Sequence, residues 1–212
     1  MTVVKLLLDG RLTPTTGVIG FIEASLARCV DAVERYVATH LDIALDGVER
    51  RPVTGDLEDV LGALHPLHEG ATADRYLLVP TRGEWTAFFD NAADGGDPRP
   101  LTGMLPDQLA CRTASVYAVP GKGSTLRIAG FTLAAPGHAG MLDAVRVLVV
   151  DRRAGSPQVQ MYGDPLPGEP NDPADLDLES IDRVLRGLGI HAFDARFYLP
   201  EGTEGLLLSA AQ

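Results

Sequence analysis

Cysteine, basic charge and long apolar runs are all scarce in this chain, and each shortage removes a class of function. The two cysteines, Cys29 and Cys111, stand 82 positions apart in apolar surroundings. Zinc sites and dithiol redox motifs need thiols at short paired spacing, so both read as small buried hydrophobes. Lys and Arg number 18 against 29 Asp and Glu, which leaves a net charge of −11 over 212 residues. Such a field repels phosphate backbones and anionic lipid headgroups, and so disfavours nucleic-acid and membrane-surface roles. It favours a cationic ligand or a basic protein partner, speeding the encounter more than it tightens the complex. No apolar run approaches the roughly 20 residues that span a bilayer. The opening MTVVKLLLDGRL holds one apolar stretch, too short for a secretory segment. The expected compartment is the cytoplasm.

What is present is an ordinary globular composition, 45% apolar, consistent with a single α+β domain over residues 1–212. VVKLLL (3–8), closed by Asp9-Gly10, has the look of a first strand. From Thr16 the apolar residues Val18, Ile19, Ile22, Leu26, Val30, Val33, Val37 and Leu41 recur at three and four, which predicts an amphipathic helix over 17–40. Asp56 is placed to cap a shorter helix through Leu64, which Pro66 stops. Six short runs follow, each bounded by Gly, Pro or Asp: 75–80, 85–91, 112–120, 124–134, 146–151 and 158–162. The turns Arg82-Gly83-Glu84 and Gly121-Lys122-Gly123 join neighbouring runs, so the expected sheet is antiparallel, with five or more strands. A short helix is expected at Leu105–Leu109 with Pro106 in its first turn. Residues 163–177, with four prolines and five acids, read as an exposed connection. Asp175 or Asp177 then caps a helix through Leu188, and 193–200 reads as a last strand or a segment tucked under the sheet.

Few residues suggest chemistry. His65 and His68 are spaced closely enough to start a metal site, but Pro66 breaks the helix that would align them. Asp175, Asp177 and Glu179 alternate as calcium ligands do, without the glycine and closing glutamate of such a loop. Gly121-Lys122-Gly123-Ser124 lacks the rest of a phosphate loop and precedes a strand. Neither GxSxG nor a Cys beside a His-bearing loop occurs. Glu84, Asp90 and Asp94 flank Trp85, as carboxylates of a glycosidase site flank an aromatic, and His138 lies in a loop where it could exchange protons. No metal or organic cofactor is expected.

The stretches VPTRGEWTAFFDNAADGGDP (79–98), QVQMYGDPLPGEP (158–170) and LGIHAFDARFYL (188–199) resemble pieces of an uncharacterised bacterial family of small acidic α+β proteins. That family is similar in kind to the immunity partners of polymorphic toxins. The resemblance implies a protein-binding inhibitor that occludes a basic toxin domain and has no catalytic residues. The binding face is expected at Glu169, Asp172, Asp175, Asp177 and Glu179, stiffened by prolines at 167, 170 and 173, together with Trp85. The alternative is an enzyme whose site is assembled from His138, Glu84 and Asp90. A structural subunit, a third possibility, would carry an exposed apolar patch.

Overall fold

The computed structural model describes residues 4–69, 73–93, 96, 98–121, 125–138 and 144–211, the side chains of residues 99 and 100 excepted. Its elements in chain order are β1 (Val18–Ile22), α1 (Leu26–Leu41), β2 (Val48–Val53), α2 (Leu57–Gly62), β3 (Arg75–Pro80), β4 (Thr86–Asp90), α3 (Arg99–Leu109), β5 (Thr113–Pro120), β6 (Leu126–Ala134), β7 (Arg146–Asp151), β8 (Gln158–Tyr162), α4 (Leu178–Gly187) and β9 (Gly205–Ala210). The nine strands form one sheet in the order β2-β9-β3-β4-β1-β5-β6-β7-β8, and every neighbouring pair is antiparallel. Among the described residues no helix is long and apolar enough to cross a membrane.

Strand alternation builds a core on each face of the sheet. Along β3, Leu77 and Val79 join one core, which α2, α4 and the 190–198 segment close through Leu61, Ile181, Leu185 and Phe197. Tyr76 and Leu78 join the other, which α1 and α3 close through Cys29, Val33, Val37 and Leu101. The result is a three-layer domain with helices on both sides of an antiparallel sheet.

The predicted helix over 17–40 is corrected at its start: Val18–Ile22 is the central strand β1, and α1 begins only at Leu26. All five residues of β1 are buried. A strand covered on both faces shows a continuous apolar run, which mimics helical spacing when it abuts a real helix. Gly17 and Gly20, poor helix formers, marked the difference. Gly20 also has a packing reason, since a Cβ there would lie 3.0 Å from Pro98 and 3.3 Å from the Phe88 ring. Ile22 therefore packs from the sheet, while α1 buries Cys29, Ala32, Val33, Val37 and Ala38 and leaves Leu26 and Val30 half-buried.

The expected strand at 3–8 is also overturned over the residues described: a 3-10 turn occupies Leu7–Gly10, with Leu8 and Asp9 at positive φ. Leu7 is spent as a core side chain, fully buried. Helix α3 is longer than expected, and Pro106 sits in its interior rather than its first turn. Proline there deprives the Thr102 carbonyl of its helical donor. The Thr113 hydroxyl of β5 replaces it, and the Thr102 hydroxyl meets Ser115 Oγ at 2.9 Å, so the defect in α3 fastens the helix to the sheet. The segment at 193–200 is no last strand. It makes a 3-10 turn at Ala195–Phe197 and one bridge from Tyr198 to Thr81, and β9 closes the chain instead.

Candidate functional site

The acidic connection divides into one buried carboxylate and four exposed ones. Glu169 turns inward: its side chain is 5% exposed and pairs with Arg146, itself 1% exposed. Arg146 Nε reaches Glu169 Oε1 at 2.8 Å, and the same oxygen accepts the Leu166 amide at 2.8 Å. Glu169 is thereby removed from the expected binding face, because a stiff Pro-rich loop 23 residues on brings it to a buried cation. Asp172, Asp175, Asp177 and Glu179 remain exposed.

Their backbone is held from several sides. Asp172 accepts the Ala174 amide at 2.9 Å, and Asp177 caps α4 by accepting the Ser180 amide at 2.8 Å. Arg152 donates to the carbonyls of Ala174 (2.8 Å) and Leu176 (2.9 Å), and Leu176 is buried beneath. Arg183 Nη1 donates to Gly168 O at 3.2 Å. Arg152 thus spends its donors on carbonyls and closes no ion pair with the ridge carboxylates. Beside the ridge lies a cavity of about 390 Å³, lined in part by Leu126, Arg152, Asp175, Asp177 and Leu178.

The outer face of α4 borders a larger cavity, of about 620 Å³, against Val4, Lys5 and the 193–196 turn. Asp182 lines it, 5% exposed, with Oδ2 accepting from Arg186 Nε at 2.7 Å and Oδ1 without a partner. Arg186 Nη1 meets His191 Nδ1 at 2.8 Å. Asp194, paired with Arg196 at 3.0 Å, is held below the usual carboxylate range by that guanidinium. Neither Asp182 nor His191 was singled out by the sequence, although the i,i+4 spacing of Asp182 and Arg186 was there to be read.

Trp85 is not a surface residue. It is 3% exposed, its indole N–H donates to Leu188 O at 3.2 Å, and the Arg112 guanidinium lies 5.6 Å from the ring centroid. Its role is to join two of the three quoted segments: the Arg82 amide donates to Phe197 O at 2.8 Å, and the Leu199 amide to Pro80 O at 2.9 Å. TRGEW and LGIHAFDARFYL are therefore one structural unit, with a cavity of about 480 Å³ at its surface lined by Arg82, His191, Arg196 and Phe197.

The residues of the enzymatic alternative do not converge. Glu84 lies in the turn before β4 and Asp90 ends that strand, so six residues of extended chain separate them by about 20 Å. Glycosidic carboxylates work at separations of about 5 to 9.5 Å. Asp94 lies outside the described residues. His138 lies in the loop four residues after β6, a strand about 14 Å from β4 across the sheet, and the amide of its neighbour Gly137 donates to Asp107 of α3 at 2.8 Å. His68 Nδ1 sits 3.3 Å from Asp74 Oδ2, while His65 is exposed before a cis proline. Among the described residues no three His, Cys, Asp or Glu side chains are grouped to hold a metal. Cys29 and Cys111 are buried free thiols; burial pushes Cys29 up to about 11 and raises Cys111 as well. Residues 122–124 of the glycine turn lie outside the described residues, but the strands it joins, β5 and β6, pair antiparallel. The chain matches no protein-family model, no curated protein and no solved structure.

Proposed function

We propose that the protein is a binding protein, an immunity-type inhibitor that occludes a basic toxin domain with its acidic surface. The observation that carries this reading is the ridge of Asp172, Asp175, Asp177 and Glu179, four exposed carboxylates on a backbone already fixed by caps and by Arg152. A surface fixed before binding loses little entropy when it docks. Its charges act over a Debye length of about 8 Å at physiological salt and so govern the rate of encounter. A net charge of −11 adds to the same field. In this reading nucleic acid and membranes are not partners, no cofactor takes part, and the protein works in the cytoplasm.

The test is co-expression with the product of the reading frame encoded beside it. The wild-type chain relieves growth arrest, and Asp175→Lys with Glu179→Lys, which spares the caps Asp172 and Asp177, relieves it poorly. With purified proteins the same variant associates at least tenfold more slowly at low salt while its circular dichroism is unchanged. A harmless neighbouring product, or protection by the variant equal to wild type, would overturn the proposal.

A further inference from the structure

The two edges of the sheet are built differently. β2 carries Glu49, Arg50, Arg51 and Pro52, and Arg50 is tied to Asp31 and Glu34 of α1. Charge and proline of this kind block the addition of another strand. β8, at the opposite edge, has neither. All five of its residues are exposed, no charged side chain occurs over 154–163, and its register with β7 runs without a bulge. Of the five large apolar side chains exposed among the described residues, three stand on this strand: Val159 at 41%, Met161 at 58% and Tyr162 at 52%. Val159 and Met161 pair with Val150 and Leu148 and so extend the α4-side core to the open edge.

The edge is also held in shape. Arg146 Nη1 donates to Tyr162 O at 3.1 Å and to Gly163 O at 2.7 Å. Gly163 has φ 77°, and a Cβ there would lie 2.0 Å from Val145 O. Only glycine permits this exit from the strand.

Acids flank the edge. The Pro173–Asp175 turn packs beside β7 and β8. Arg152, in the β7–β8 turn, donates to the Ala174 and Leu176 carbonyls and so brings Asp172 and Asp175 to the Gln158 end, where Arg153 is taken up by Asp151 at 2.8 Å. Asp164 is exposed just past the Tyr162 end. A second copy of this chain would bring a like-charged turn and another −11 to the same edge. An extended segment of opposite charge meets no such repulsion.

We propose that β8 is a docking edge that accepts an extended, alternating basic and apolar segment of the partner as a tenth strand. Main-chain hydrogen bonds along Gln158–Tyr162 provide the pairing. Apolar side chains of the added strand cover Val159 and Met161, and its basic ones reach Asp164, Asp172 and Asp175. The proposal rests on the binding reading above and adds the mode of recognition to it.

The probe is the peptide Lys-Val-Lys-Val-Lys-Val-Lys, compared with a twin of equal charge that is N-methylated at every internal amide. At saturation the unmethylated peptide slows hydrogen exchange of the outward β8 amides at least tenfold, and the twin binds at least tenfold more weakly by fluorescence anisotropy. The variant Val159→Glu with Met161→Glu adds two negative charges yet weakens the unmethylated peptide at least tenfold. Simple charge attraction gives the reverse order. Tighter binding by that variant, equal binding of the twin, or no protection of β8 each overturns the proposal, and the twin comparison needs no variant to fold. A concentration-dependent dimer in sedimentation, lost in the glutamate variant, would make a second copy the occupant and overturn it equally. If Asp175→Lys with Glu179→Lys abolishes protection from the toxin while β8 shows no pairing, the strand docking falls and the acidic-face reading stands.

Discussion

Arg146 and Glu169 form an ion pair inside the protein, with exposures of 1% and 5%, between the first residue of β7 and the Pro-rich connection to α4. Each partner makes further bonds: Arg146 also serves the carbonyls of Tyr162 and Gly163, and Glu169 also accepts the Leu166 amide. The pair sets the path of the chain from the edge strand to the acidic ridge, so both surfaces of the functional proposal depend on it.

Breaking a buried pair from one side leaves the other charge stranded, at a cost of about 3–5 kcal/mol. Glu169→Gln is expected to lose that much stability in urea denaturation. Replacing both partners, Arg146→Met with Glu169→Leu, should recover part of the loss, because no charge then stays buried, although the Tyr162 and Gly163 carbonyls and the Leu166 amide lose their side-chain partners. A single variant that loses less than about 1 kcal/mol would show the pair open to water in solution.

The proline inside α3 gives a second test. Thr113→Val removes the hydroxyl that donates to the Thr102 carbonyl in place of the missing Pro106 amide, and losing one buried hydrogen bond costs about 0.5–1.5 kcal/mol. Adding Pro106→Ala restores a helical N–H to that carbonyl. The double variant should therefore be more stable than Thr113→Val alone, and simple additivity of two losses would show that the hydroxyl does not serve this role.

Much of the sheet was legible because turn residues frame its strands. The observed bounds of β3, β7 and β8 coincide with the runs 75–80, 146–151 and 158–162, and Asp56 caps α2 as its position suggests. β2 was not legible: VERRPV carries the charges and proline of a guarded edge, the composition that argues against a strand. Glu169 and Trp85 failed for a common reason. Local sequence shows a side chain's chemistry, but their partners, Arg146 and the Leu188 carbonyl, lie 23 and 103 residues away. The acidic ridge was visible as composition, whereas the bare β8 edge needed the strand order to be known.

The thiols offer a check on the α1 core. With Cys29 pushed up to about 11 by burial, about one thiol in a thousand is ionised at pH 8, and neither Cys29 nor Cys111 is accessible. Iodoacetamide should leave the native protein unmodified over an hour at pH 8 and alkylate both thiols in denaturant. Prompt labelling of Cys29 in the native state would place the face of α1 differently.

Glu23 and Arg112 bracket the end of the central strand pair: Glu23 directly follows β1 and Arg112 precedes β5, with Nε to Oε2 at 2.7 Å. The hydrogen bonds from Arg112 hold the Glu23 carboxyl below its ordinary value of 4.5, against the opposing effect of partial burial. A carboxylate whose value is lowered on folding stabilises the folded state above its unfolded value, and the contribution is lost as pH falls through the folded one. Glu23→Gln should therefore cost about 1 kcal/mol at neutral pH, a figure discounted for the 42% exposure of Arg112. The difference from wild type should persist down to about pH 4.5 and shrink below it, as the wild-type carboxyl takes up its proton and loses the same interaction. Thermal melts of both proteins between pH 7 and pH 2.5 measure this directly. A difference constant across that range would mean that the substitution acts through packing and that the charge of Glu23 contributes nothing to the fold.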